Sequence, residues 1–584
     1  MDKLIKNLKV LPFMIVAATM MQGCIEEEFP TDAVTDSQLN QSSNPGKSLL
    51  NGLNAMMVDQ FTYNGDQLAY DWGYPCQMLI RDILGGDEPV VGYNTDGSSG
   101  DYLYWIADNS YLSVPSLYTY SYYYDLIANA NKVVANYGSE DSKYKDYAGA
   151  ALTYRALAYL DLARMYEFKT TGFTTLDGKA EKVMGLTVPI VDENTTKDQS
   201  KNNPRAPFYK MYRFIMNDLN TAENYMEGFD RGSSKVIPDQ SVVYGLKARL
   251  WLEMASRFDQ SSKDLDTLLL HENDNDGYTA LGISSANDCY AKAAEYAKKA
   301  MESDLYSPLT KDEWHNSKTG FNTANHAWMW AASMRSKEMI SYQWYTWTCW
   351  MSPESPTFSW GQYFDSYRAI DKSLFDKINR NDWRRKTWVA PIDAGTNSDK
   401  AIPDGYSTIL SYDEWTTLPP YTGLKFRINN SDNSDYQVGM LTDIPLMRVE
   451  EMYFIYAEAT AHTSGVEAGK AILEDFMTNH RYNSGKTYKC NATDMDGFIT
   501  ELLQQKRVEL WGEGLVYFDN KRLARQIKRY YKDSNYPSSY QLNSMKDYVA
   551  PWLNYYIYDY ERDNNQAVVL NPDPSNTVVA QTDY

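Results

Sequence analysis
Alanine recurs at helical spacing in several separated stretches, always interleaved with large apolar side chains. In the segment 148–168 (AGAALTYRALAYLDLARMYEF), Ala148, Ala151, Leu152, Ala156, Tyr159, Leu162, Ala163 and Tyr166 fall on one face. Alanines at such positions let two helix backbones approach closely, so the pattern predicts stacked helical hairpins. It returns in SVVYGLKARLWLEMA (241–255) and in ANDCYAKAAEYAKKAM (286–301). Apolar periodicity predicts further helices near 49–57 and over 122–137, 208–225, 450–461 and 466–480. Copies this diverged and this far apart give no fixed period, so a regular solenoid is excluded.

Two regions break the period. Residues 64–121 hold many glycines and aromatics and read as irregular surface structure. Residues 304–445 are rich in Trp, Pro and Gly, and a loop region this long in a compact domain is usually functional. Within it Trp328 and Trp330 alternate as a strand would place them. The segment 341–350 (SYQWYTWTCW) crowds five aromatics into ten residues. The whole chain of 584 residues carries 49 Tyr and 15 Trp. Such rings combine a flat apolar face with a polar handle, which suits a surface both wet and adhesive. The net charge of −21 argues against nucleic acid, whose phosphates demand clustered Lys and Arg.

The first residues read as an address. Lys3, Lys6 and Lys9 precede an apolar run over 10–21, then Gln22-Gly23-Cys24. This predicts a signal peptide over 1–23, with Cys24 lipidated as the new N-terminus. Ordinary secretion with Cys24 a bystander is the alternative. A polar tether follows over 24–45, and a single body over 46–584, divisible into an N-terminal part (46–303) and a loop-rich C-terminal part (304–584). The other cysteines are Cys76, Cys289, Cys349 and Cys490, with no CxxC among them and no pairing deducible.

Several constellations fail. GVEAGK (465–470) is one residue short of a phosphate loop and opens a predicted helix. ENDNDG (272–277) has the start of a calcium loop, but position twelve is Ile283 and not Glu. Five His form no HExxH, and no GxSxG is present. No cofactor, resident metal or catalytic residue is therefore assigned. Arg448, Glu450 and Glu458, and likewise Arg507, Glu509 and Glu513, punctuate segments read as two otherwise apolar helices. Buried charges persist only when paired, so these predict structural ion pairs, with catalysis by Glu509 and Glu513 the alternative.

Four features in order resemble the SusD/RagB family of Bacteroidetes outer-membrane lipoproteins: the Cys24 lipobox, the 148–168 segment, IPLMRVEEMYFIYAEA (444–459) and LLQQKRVELWGEGLVYFDNKRLAR (502–525). Val516 stands where the family usually has Arg, and Asn520 where Leu is usual. The resemblance implies a mostly α fold with tetratricopeptide-like hairpins, long aromatic loops and a few short strands. It implies a non-enzymatic surface protein that binds oligosaccharide, is held to the outer membrane by its lipid, and serves a SusC-like TonB-dependent barrel. The ligand-binding residues it suggests are Trp72, Tyr74, Arg81, Asp101 and Trp105 in the early loop region, and Trp344, Trp347, Trp350 and Trp360 in the insertion. Sugar rings present apolar C–H faces for such stacking, while charged and amide groups bind the hydroxyls. Rival readings are a lipoprotein glycoside hydrolase, which needs two opposed carboxyls, and a purely structural partner of the barrel.

Overall fold
In the computed structural model, described residues are 45–58, 72–92, 114–302, 305–316, 318–334, 336–340, 346–355, 357–393 and 412–577. Cys24, Asp101, Trp105 and Trp344 lie outside them. The N-terminal half contributes α1 (Pro45–Met56), α2 (Tyr74–Gly85), β1 (Val90–Val91), α3 (Val114–Tyr137), α4 (Lys145–Tyr166), α5 (Phe208–Tyr225), α6 (Gln240–Gln260) and α7 (Ala286–Glu302). The C-terminal half adds β2 (Trp328–Ser333), α8 (Trp347–Met351), α9 (Trp360–Phe364), β3 (Tyr367–Arg368) and β4 (Asp443–Arg448). It ends with α10 (Val449–Ser464), α11 (Val466–His480), α12 (Met495–Glu509) and α13 (Val516–Arg522). The fold is mostly α with a few short strands.

The alanine pattern predicts this architecture. Helix α3 packs on α4, α4 on α5, α5 on α6, α6 on α7, α7 on α10 and α10 on α11, an unbroken stack of hairpins. Ala148, Ala151, Ala156 and Ala163 of α4 are all buried where neighbours approach. Asp239 caps α6 by accepting the Val242 N–H, and Asp494 caps α12 by accepting that of Gly497, satisfying donors left over at a helix start.

The early region departs from its sequence reading. Helix α2 occupies part of the stretch read as irregular, and α3 begins eight residues before the expected Tyr122. All twelve residues of α2 are buried. Its polar stripe of Gln77, Arg81 and Asp82 is buried with the rest, and Gly73, Pro75, Gly85 and Gly86 around so short a helix read as turn signals. The 444–459 and 502–525 segments also break differently from the expectation. Arg448 ends a strand, and Glu513 lies in the turn between α12 and α13. That turn needs Gly514, at φ 71°, where a Cβ would come within 2.7 Å of the Met78 backbone.

The strand expected at Trp328 and Trp330 is present as β2, antiparallel to β4, and all six of its residues are buried. Strands β1 and β3 pair antiparallel, Val90 with Arg368 and Val91 with Tyr367, tying the early region to the insertion.

Candidate functional site
The carboxylates set out by the sequence meet in one buried lattice. Glu509 accepts from Arg384 Nη1 at 2.8 Å, Arg448 Nη1 at 3.1 Å and Arg481 Nε at 2.7 Å. Glu450 bridges Arg448 and Arg481, and Glu513 takes Arg448 and the Lys425 ammonium. Burial pushes the Glu509 carboxyl up, but the Arg481 and Arg448 charges overcome this and hold it far below the carboxylate range. Burial also pulls the Lys425 amine down to about 8 against the opposing charge of Glu513. Elsewhere Glu458 binds Arg522, and Arg507 binds Asp87. All six charges are paired, and Arg448, Glu450 and Glu509 join β4, α10 and α12 to Arg481, just past α11. The cations fill the space around Glu509 and Glu513, and both carboxyls are buried.

Two of the expected ligand contacts, Tyr74 and Arg81, form a second polar knot. Trp72, Tyr74 and Arg81 are buried. Asp161 of α4 accepts from the Tyr74 hydroxyl at 2.8 Å, Arg81 Nη1 at 3.0 Å and the Tyr123 hydroxyl at 2.9 Å. Burial lifts the Tyr74 phenol to about 12. Side chains engaged in this way hold α2 against α4 and α3 and offer no face to solvent, which corrects their reading as loop contacts.

The insertion's aromatics are likewise interior. Trp347 and Trp350 are each 1% exposed and Trp360 is 7% exposed. Trp350 and Trp360 stack with ring centres 3.7 Å apart, and the Arg368 guanidinium lies 5.3 Å from the centre of Trp350. Trp347 meets Phe426 edge-on at 4.4 Å. These rings form the underlayer of a surface rather than the surface itself, because their faces are spent on one another. Above them, Tyr363 on α9 is 54% exposed. Beside it the Gln362 amide oxygen accepts from the Thr417 hydroxyl at 2.7 Å.

The structure brings the two candidate regions together here. Gly92, the last described residue before 93–113, packs so closely on Asp365 that a Cβ would lie 2.1 Å from the Asp365 carbonyl oxygen. Asp101, Trp105 and Trp344 lie outside the described residues. Sequence reasoning missed Tyr363. Its only signal is three-residue spacing from Trp360, which places both rings near one helix side without saying which is covered.

The calcium-like loop is already satisfied. Asp276 pairs with Arg213 at 2.6 Å, and Asp274 faces His271 at 2.9 Å. Among the described residues no three His, Cys, Asp or Glu side chains gather as a metal site. Lys470 of GVEAGK is engaged by Glu467 and the Ala492 carbonyl, inside α11. Cys76, Cys289, Cys349 and Cys490 are buried thiols.

Comparison with known proteins joins these pieces. The model of the family described as "SusD family" matches residues 310–583, and that described as "Starch-binding associating with outer membrane" matches 95–252. The chain belongs to the SusD/RagB family. Solved SusD-like structures share its fold along nearly their whole length. A SusD-like carbohydrate binding protein from Bacteroides vulgatus is 20% identical with a TM-score of 0.62, covering 90% of this chain and 96% of its own. A SusD superfamily protein from Bacteroides thetaiotaomicron is 16% identical with a TM-score of 0.60, covering 90% and 99%. A SusD-like protein from Bacteroides fragilis is 13% identical with a TM-score of 0.62, covering 93% and 99%. No curated protein matches the chain.

Proposed function
We propose that this SusD/RagB protein is a cell-surface lipoprotein that binds oligosaccharide nutrients and delivers them to a SusC-like TonB-dependent outer-membrane barrel. Membership of a family with a starch-binding, outer-membrane-associated branch carries this reading. Residues 1–23 direct export, Cys24 bears the lipid, and 24–45 tether the body formed by 46–584. No described helix is long and apolar enough to cross a membrane, so the lipid provides the attachment in this scheme.

The binding surface we propose lies over the β1–β3 ribbon and α9, where Tyr363 is exposed beside the hydrogen-bonded Gln362 and Thr417. Asp101, Trp105 and Trp344 lie outside the described residues, and their role as ligand contacts is a proposal that rests on the sequence resemblance alone. The protein performs no bond-breaking. Calorimetry of the purified chain against an oligosaccharide panel, with reducing-end assay of the same mixtures, tests this. The expected result is binding without new reducing ends. Release of new ends would establish the hydrolase instead.

A further inference from the structure
A cleft of about 510 Å³ opens on the side of α12 that faces away from the ion-pair lattice. Its size falls within the roughly 300–1,000 Å³ of ligand sites. Thr500, Leu503, Gln504 and Arg507 line one wall at i, i+3, i+4 and i+7 of α12. The opposite wall is the chain after α13, where Ala524, at φ 47°, turns the backbone so that Arg525 to Lys528 run past the helix. Lys377 closes one end.

The charge of this lining is unlike that of the chain. Four cations, Lys377, Arg507, Arg525 and Lys528, face the cleft, and no carboxylate does, although the chain as a whole carries −21. Asp87 holds Arg507 by Nε and Nη2, leaving Nη1 available. Asp496 holds Arg525 by Nη1, and the buried Arg525 Nε has no hydrogen-bond acceptor. Lys377 and Lys528 are exposed, and among the described residues neither ammonium has a carboxylate partner. Asp371, behind the lining, is engaged by the hydroxyls of Tyr531 and Ser373.

We infer that this cleft is a second saccharide site, selective for oligosaccharides bearing carboxylate or sulfate groups. The inference rests on the proposed glycan-binding function and names a ligand class for it. Guanidinium and ammonium groups form their strongest hydrogen bonds with such anions. The interleaved Thr500 hydroxyl, the Gln504 and Gln526 amides and the half-buried Tyr531 ring suit sugar hydroxyls and C–H faces, which a bare anion would leave unused. On a strongly acidic protein a local cationic pocket also draws an anionic ligand to one place, in a salt-sensitive way.

The test is calorimetry of the purified full chain with tetragalacturonate, a sulfated disaccharide, maltotetraose, inorganic sulfate and phosphatidylglycerol vesicles, repeated on Lys377→Gln/Lys528→Gln. Both lysines are exposed, so the variant keeps its fold. The expected result is binding of an acidic saccharide that weakens about tenfold or more in the variant and falls with salt. Equal affinity in the variant overturns the inference, as does lysine-dependent binding of sulfate or vesicles without any saccharide. Binding of maltotetraose alone overturns it while leaving the proposed function standing. Binding of no saccharide removes both.

Discussion
Helix α12 has two faces with the same kinds of side chain and opposite fates. On the inner face Glu509 meets three guanidiniums, Gln505 accepts from Arg384 at 2.8 Å, and Lys506 pairs with Asp519 at 2.8 Å. On the outer face Thr500, Gln504 and Arg507 look into the cationic cleft. Burial decides the difference. A charge removed from water must be matched at once, so the inner face is closed around complete ion pairs. An exposed charge is hydrated at little cost, so the outer face can carry a surplus and keep it available to a ligand.

The sharpest way to break this contrast is Glu509→Ala. It strands the guanidiniums of Arg384, Arg448 and Arg481 in the core. Removing one partner of a buried pair costs about 3–5 kcal/mol, so the denaturant midpoint drops sharply. A loss under about 1 kcal/mol would mean that the lattice is solvated and the two faces do not differ. Aromatic residues allow the same comparison. Trp350→Ala empties a stacked, buried site and costs about 3–4 kcal/mol. Tyr363→Ala, by contrast, changes stability by no more than about 0.5 kcal/mol and weakens oligosaccharide binding, read by melting and calorimetry on the same samples.

Acid probes the inner regime through a different pair. Glu167 is bound by Arg257 at 2.6 Å. Burial raises its carboxyl, but the Arg257 charge outweighs that and brings it from 4.5 down to about 2. The folded state thus holds the proton more weakly than the unfolded chain. The pair's stabilisation is complete above about pH 4.5 and is lost as pH falls toward 2, in all about 3 kcal/mol. Denaturant melts between pH 6 and 2 should show this loss in the native chain and a loss smaller by that amount in Glu167→Gln. Identical acid profiles would remove Glu167 from the account.

Sequence made the hairpin stack legible because alanine periodicity and close helix packing are the same fact seen twice. Helix α5 spans the predicted 208–225, and α11 the predicted 466–480. Pairing of Arg448, Glu450 and Glu509 was also legible, since charges on apolar segments demand partners. The short, fully covered α2 was not, because Gly73, Pro75, Gly85 and Gly86 crowd its twelve residues with turn signals. Nor was the layering of the aromatic region, where Trp350, Trp360 and Tyr363 are chemically alike and only tertiary placement separates underlayer from surface. The cleft was hidden for a further reason. Lys377 and Lys528 are 151 positions apart, and their convergence belongs to the fold alone. Even the departures from the family pattern acquire a purpose in three dimensions. Asn520 donates to the Gly85 carbonyl at 2.9 Å, and Val516 fills the space beside Gly85.

The smallest expected effect is the one that best separates the two faces. In Lys377→Gln/Lys528→Gln, two cations leave the outer face and no carboxylate loses a partner. Exposed substitutions of this kind shift stability by about 0.5 kcal/mol or less, so the melting profile of the variant should overlay that of the native chain. Relief of mutual repulsion across the cleft would move it upward, and more so at low salt, where screening is weak. A clear loss of stability would instead show that both ammoniums are structural, and α12 would then be closed on both sides with no charge left to offer a ligand.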